Sequence, residues 1–391
     1  MLAFTFPGQG SQRPGMGEVW VAHPSWELVG DVSDATGRDV GRLLLEADAA
    51  ELTETRNAQL ATFTLSLVML DAVERLGISP AIAGGHSLGE YTALVATGAL
   101  SFDDGARLVA ERGEAMQEAA DDQPGTMAAV LGLDDDTADQ ACRRAQTSVW
   151  VANYNAPGQV VVAGSAEGIA SATDEAKSLG AKKVMPLPVG GAFHTELMAS
   201  ARNRLRKALG ECTFNDPEVP VVANVDARSY THASDWPSLL SEQLTSPVRW
   251  RQSLVQLESL GATIFVEIGP GNVLTGLARR TVPSGLALSV ATPDGLDKLV
   301  EALAGDGPLQ AYVAEHQGEH LYMSERLVVS PAAGIFAPAE GAKGELSVGS
   351  LVGTVGEAEV RSPWAGALMG MLAVEGERVQ VGQPIAWLRS A

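Results

Sequence analysis

The chain is poor in cysteine, in aromatic side chains and in positive charge. Its 391 residues include 2 cysteines, 8 phenylalanines, 7 tryptophans and 5 tyrosines, and 27 lysines and arginines stand against 48 aspartates and glutamates. Cys142 and Cys212 have no metal-ligand spacing, so no bound metal is expected, and they read as ordinary thiols of a reducing cytoplasm rather than a disulfide. A net charge of −21 argues against nucleic acid or an anionic membrane surface as partner. No apolar run is long enough to span a bilayer and no charged leader precedes one, so no membrane contact is expected and Met1–Phe6 reads as a first buried strand. Histidines number only six, and no lysine follows Lys343; both scarcities matter below.

Apolar residues make up 46% of the chain and glycines number 42, enough for a sizeable core with many tight turns. The length predicts two or more domains. Up to about residue 122, strand-like and helix-like stretches alternate, which predicts an α/β fold with a parallel sheet covered on both faces. Residues 58–76 carry apolar side chains at helical spacing and predict a long buried helix. From 124 to 190 the order becomes β-α-β-β-α-β, the pattern of a ferredoxin-like α+β subdomain, here inserted because strands at 219–224 and 263–267 resume the first rhythm. Residues 1–303 therefore form one domain with an insert, 304–325 read as a linker with a short helix, and 326–391 form an all-β domain. That last segment repeats itself. Val329-Ser330-Pro331-Ala332-Ala333-Gly334 returns as Arg361-Ser362-Pro363-Trp364-Ala365-Gly366, and Ser347-Val348-Gly349 as Gln380-Val381-Gly382, about 32 residues on.

Gly85-His86-Ser87-Leu88-Gly89 is the most informative stretch. It is a nucleophile elbow, a serine between glycines on a sharp turn from a strand (78–84) into a helix (from 90). Small flanking residues relieve the crowding of the turn, and the helix N-terminus directs partial positive charge at the serine's target.

The elbow belongs to a series: Phe6-Pro7-Gly8-Gln9-Gly10-Ser11-Gln12, then Gly85–Tyr91, Glu111-Arg112-Gly113 with Met116-Gln117, Asn155-Ala156-Pro157-Gly158-Gln159-Val160, Phe193-His194 and Glu267-Ile268-Gly269-Pro270-Gly271. In this order the motifs resemble the malonyl-CoA:acyl carrier protein transacylases and the related acyltransferase domains of polyketide synthases, over roughly the first 300 residues. The resemblance implies a hydrolase-like parallel-sheet core. It implies Ser87 as nucleophile, His194 as its base, and Gln9 and Leu88 as main-chain donors to the oxyanion. It makes Arg112 the clamp on the malonyl carboxylate, Phe193 the bulky residue against an α-substituent, and His86 and Asn155 part of the substrate site. A backbone carbonyl orients the histidine in this family, and the Gly269-Pro270-Gly271-Asn272 turn is the candidate source, through Asn272. The implied substrates are malonyl-CoA and an acyl carrier protein. Because such carriers are acidic, the docking surface must be locally basic; Arg143-Arg144, Lys182-Lys183, Arg202-Arg204-Arg206-Lys207 and Arg279-Arg280 are candidate pieces, although any one cluster by itself reads rather as a solvated helix face.

The alternatives are a generic α/β-hydrolase, an editing hydrolase of acyl carrier protein thioesters in which water replaces the acceptor thiol, and a non-catalytic scaffold. The first requires an acid between the serine and a late histidine, whereas His194 falls midway in the chain. A carboxylate clamp is wasted on the uncharged acyl groups that editing removes.

The C-terminal segment Val374–Ile385 resembles the biotinyl/lipoyl carrier domain. Such domains attach their cofactor to a lysine on the hairpin between their halves. Here that joint, Thr354–Val360, has none, and Lys343 lies earlier in a loop. No biotin or lipoate is therefore expected, and the domain reads equally as a unit that docks a partner or the acyltransferase domain and as a stability appendage inherited from a fusion.

Overall fold

A short strand of apolar and small residues, β1 (Leu2–Phe6), is buried along its whole length and lies inside a six-stranded sheet. The computed structural model describes residues 1–304, 325–339, 341–356, 358–380 and 383–389. β1 pairs in parallel with β2 (Ile82–Gly85) on one side. On the other side it pairs with the later strand Ile264–Ile268. Between them in sequence come β3 (Thr126–Leu131), β4 (Val149–Ala156), β5 (Gln159–Gly164), β6 (Lys183–Pro186), β7 (Val221–Val222) and β8 (Ser229–Tyr230). Ile264–Ile268 is then β9 and Leu286–Val290 is β10. The sheet order is β10-β9-β1-β2-β7-β8. Pairings are parallel except at one edge, where β8 returns antiparallel on β7. The expected strand at 219–224 is only two residues long, and the sheet is mixed rather than wholly parallel.

The helix Thr55–Glu74 is buried continuously from Asn57 to Glu74. A helix buried on every side belongs inside a layer, not on a surface. By contrast, Phe102–Asp122 is amphipathic and starts at Ser101, whose hydroxyl accepts from the Asp104 N–H at 3.1 Å. Its inward face carries Leu108, Val109, Arg112 and Met116 at helical spacing, so an arginine occupies a core position.

The four strands β3–β6 form a separate antiparallel sheet in the order β4-β5-β3-β6, with helices Asp135–Ala145 and Ala166–Ser178 packed on it. This is the strand order of the ferredoxin-like motif, within the expected boundaries.

The chain divides into two compact units, with the strands beyond residue 324 in the second. The expected linker falls mostly on residues 305–324, outside the described residues. Its end residues belong to regular elements instead, Ala304 to the helix Pro293–Ala304 and Glu325 to β11 (Glu325–Val329).

The second unit consists of β11 followed by β12 (Gly334–Pro338), β13 (Gly344–Leu346), β14 (Leu351–Val355), β15 (Ala358–Arg361), β16 (Gly366–Met371), β17 (Arg378–Val379) and β18 (Pro384–Arg389). They form two four-stranded sheets, β11-β18-β16-β13 and β15-β14-β12-β17, around Val328, Phe336, Val352, Val379, Ile385 and Leu388. The sequence repeat has a structural counterpart, although Val381 and Gly382 lie outside the described residues. The buried Ser330 and Ser362 each donate a hydroxyl hydrogen bond to the carbonyl two residues on, at 2.6 Å in both cases. Ser330 N–H donates to Gln383 O and Ser362 N–H to Ser350 O, both at 2.8 Å. Removing either hydroxyl leaves a turn carbonyl without that donor. Ser330→Ala and Ser362→Ala are each expected to destabilise the second unit by about 1 kcal/mol, read as a lower urea midpoint of its transition at unchanged slope.

Candidate active site

The turn from β2 into the helix Gly89–Ala96 holds Ser87 at φ 53°, in the left-handed region that non-glycine residues rarely adopt. The flanking glycines are obligatory for a geometric reason. A Cβ on Gly85 would lie 1.9 Å from the Gly89 carbonyl carbon, and one on Gly89 would lie 2.0 Å from the Phe6 carbonyl oxygen. β1 thus presses directly against the elbow, and no side chain fits between them.

Ser87 Oγ lies 2.7 Å from His194 Nε2. His194 is also held at positive φ, 62°, and is 4% exposed. Four non-glycine residues among those described adopt positive φ, and the Ser–His pair accounts for two of them. The His194 Nδ1 lies 2.8 Å from the main-chain carbonyl of Gln243. A carbonyl only accepts, so Nδ1 carries the hydrogen and Nε2 is left bare to receive the serine proton. Burial, reinforced by the positive charge of Arg112, pushes the imidazole down to about 3, so it rests neutral.

Arg112 is 1% exposed. Its Nη1 donates to Gln59 Oε1 at 2.6 Å, and its Nη2 donates to Gln243 Oε1 at 2.8 Å and to Ser87 Oγ at 3.1 Å. The Tyr91 ring lies 5.4 Å from the guanidinium carbon. These hydrogen-bond partners are neutral oxygens. A buried cation held only by neutral acceptors, beside a nucleophile, is a site prepared for an anion.

The serine, histidine and arginine line a cleft of about 250 Å³ that also takes in Gln9, Leu88, His86, Asn155 and Phe193. One wall comes from the large sheet and its turns, the other from the insert through Met127, Asn153 and Val161. His86 and Asn155 bond to each other at 2.9 Å across the cleft. Every expected site residue except Asn272 is thus brought together.

Residues 3–306 match the family described as the acyl transferase domain. Over 307 residues the chain is 43% identical to the malonyl CoA-acyl carrier protein transacylase of Bacillus subtilis, covering 77% of this chain and 97% of that one. The crystal structure of an acyl-carrier-protein S-malonyltransferase from Burkholderia pseudomallei superposes with a TM-score of 0.74 at 40% identity, covering 77% of this chain and 99% of that one. A malonyl-transacylase solved in complex with its type II polyketide synthase acyl-carrier protein gives 0.74 at 38% identity, with coverages of 77% and 99%. The chain belongs to the malonyl-CoA:acyl carrier protein transacylase family. It is an acyltransferase.

In this transacylase the carbonyl that orients the histidine is not that of Asn272, which sits at the N-terminus of the helix Val273–Thr281 and lines a different hollow, with Gly10, Ser11 and Pro270. Gln243 ends the helix Trp236–Gln243, and last-turn carbonyls have no partner within their own helix. That makes its carbonyl available to His194. Sequence reasoning missed Gln243, and with it Gln59, Glu90 and Asn224. Asn224 Oδ1 accepts from the Ser87 N–H at 2.6 Å, its Nδ2 donates to Gly85 O at 2.6 Å, and its own N–H donates to Glu90 Oε1 at 2.7 Å. Gln243 Nε2 donates to Ser87 O at 2.9 Å and to Glu90 Oε2 at 2.5 Å. Glu90 is adjacent to the elbow, and its place in an otherwise apolar helix was the available signal; Gln243 and Asn224 lie far away in sequence with nothing local to mark them.

Among the basic clusters, Arg204 is engaged by Glu111 and Glu118 at 2.5 and 2.6 Å. Within the described residues no helix of the transacylase is long and apolar enough to cross a membrane. Because the elbow leaves no space at Gly89, Gly89→Ala is expected to displace Ser87 from His194. Acylation is expected to fall below detection and stability by about 3 kcal/mol or more, checked by single-turnover mass spectrometry alongside a urea melt.

Proposed function

We propose that the cleft transfers a malonyl group from malonyl-CoA to the phosphopantetheine thiol of an acyl carrier protein through an acyl-enzyme on Ser87. His194 Nε2 takes the hydroxyl proton as Oγ bonds to the thioester carbonyl carbon. The resulting oxyanion is received by the main-chain N–H groups of Leu88, at the helix start, and Gln9, on the turn after β1. The C–S bond then breaks and the coenzyme A sulfur leaves with the proton from His194. In the second half the carrier thiol gives its proton to His194 and its sulfur bonds to the acyl carbon. The Oγ–C bond breaks and Ser87 recovers the proton. No step requires a metal or redox group.

The observation that carries this reading is Arg112. Its Nη2 sits 3.1 Å from the nucleophilic oxygen with neutral hydrogen-bond partners. In malonyl the free carboxylate stands one methylene from the attacked carbonyl, within reach of that guanidinium, and it pairs with it by parallel hydrogen bonds. Phe193, buried at the cleft, opposes a substituent on that methylene. Hydrolytic editing and a scaffold role gain no support from the relatives above.

Malonyl-CoA is expected to add one malonyl mass to the wild-type protein and none to Ser87→Ala; an adduct on the variant refutes the nucleophile. Arg112→Ala is expected to lower malonyl acylation about 100-fold or more while acetyl acylation holds or rises. Malonyl kinetics equal to wild type refute the clamp.

For the second unit, the biotinyl/lipoyl resemblance is supported by its two four-stranded sheets and by the paired Ser330 and Ser362 turns. The hairpin between its halves, β14 to β15, turns at Gly356 and holds no lysine. Our reading is a domain with the carrier architecture, no attached cofactor, and a docking role that raises the local concentration of a partner. Intact mass without a biotin or lipoyl increment is the expected result. Truncation after residue 303 is expected to slow transfer to the carrier while leaving Ser87 acylation unchanged.

A further inference from the structure

Glu90 is fully buried, and the chemistry above does not use it. Both of its oxygens are occupied as acceptors, Oε1 by the Asn224 N–H at 2.7 Å and Oε2 by Gln243 Nε2 at 2.5 Å. Each of those donors belongs to a residue that holds the reacting groups. Asn224 Oδ1 accepts from the Ser87 N–H, the Gln243 carbonyl accepts from His194 Nδ1, and Gln243 Oε1 accepts from Arg112. A carboxamide has one oxygen and one NH2. The NH2 of Gln243 faces Glu90 and the Ser87 carbonyl, so its oxygen faces Arg112.

We propose that Glu90 is a positioning residue that fixes the amide of Gln243 with its oxygen toward Arg112, and so sets the guanidinium for a carboxylate-bearing acyl group. The argument is one of donor and acceptor count. Placing Gln at position 90 puts an NH2 against one of two donors. If it meets the Asn224 N–H, two donors face each other on a buried main chain. If it meets Gln243, that amide must flip, which sets its oxygen against the Ser87 carbonyl and its NH2 against Arg112. Either arrangement disturbs the elbow or the clamp, and the flip harms the clamp selectively. A buried carboxyl group two hydrogen bonds away thereby controls acyl selectivity without touching substrate.

The inference rests on the malonyl-transfer reading, and the two fail differently: without malonyl adduct on the wild-type protein the reading itself falls, whereas the present inference concerns only the malonyl-to-acetyl preference of variants. The test is a double-mutant cycle on the full chain, with malonyl-CoA and acetyl-CoA as donors and the acylation of Ser87 as readout. Glu90→Gln is expected to lower the malonyl-to-acetyl ratio of kcat/KM about tenfold or more, mainly through a higher KM for malonyl-CoA. Gln243→Ala keeps the main-chain carbonyl at His194 and is expected to lower the ratio similarly. The double variant is expected to fall no further than about threefold below the worse single, because both changes remove one bridge. An unchanged ratio in Glu90→Gln, or effects that multiply in the double variant, overturns the proposal; a merely structural Glu90 would slow both donors alike. Should Glu90→Gln not fold, a wild-type ratio in Gln243→Ala still overturns it.

Discussion

A guanidinium buried with neutral hydrogen-bond partners is the constraint around which the first unit is organised. Removing such a cation from water is costly unless its N–H groups all find oxygen. Arg112 finds it for its two terminal nitrogens from three separate parts of the chain, Gln59 on the buried helix, Gln243 at the end of another, and the nucleophile itself, while its buried Nε–H has no partner among the described residues. The helix Thr55–Glu74 has to be buried along most of its length yet present one amide to the cleft, and Phe102–Asp122 has to give a core position to a charge.

The same residues meet a second demand, which is to hold two residues of strained backbone with their side chains against each other. Ser87 and His194 both sit in the left-handed region and neither is a glycine. Their conformations persist because the surroundings leave no alternative: Gly85 and Gly89 are packed against the main chain, Asn224 holds the Ser87 amide, and Gln243 holds the imidazole. The strain is concentrated at the reacting atoms and the restraint is supplied by neighbours that never react.

Legibility in the sequence followed locality. The elbow, the arginine at its spacing, the Phe193-His194 pair and the β-α-β-β-α-β insert are contiguous patterns that can be read along the chain. The antiparallel return of β8 was not legible, because two-residue strands carry no periodicity. The histidine's partner was misplaced for a related reason. Main-chain carbonyls have no sequence signature, so a glycine turn points to Asn272, while the helix end that holds the partner carbonyl lies 49 residues beyond His194. Glu90, Asn224 and Gln243 form a network only in three dimensions, and only Glu90, a carboxylate in an apolar helix, was anomalous in one.

The second unit has a consequence that lies in its assembly rather than its surface. Ser330 in the first repeat donates its amide to Gln383 in the second, and Ser362 in the second donates to Ser350 in the first. The two halves are laced together at the turns, so neither satisfies its own backbone alone. A unit wired in this way gains its order all at once. An isolated half leaves those turn groups to water.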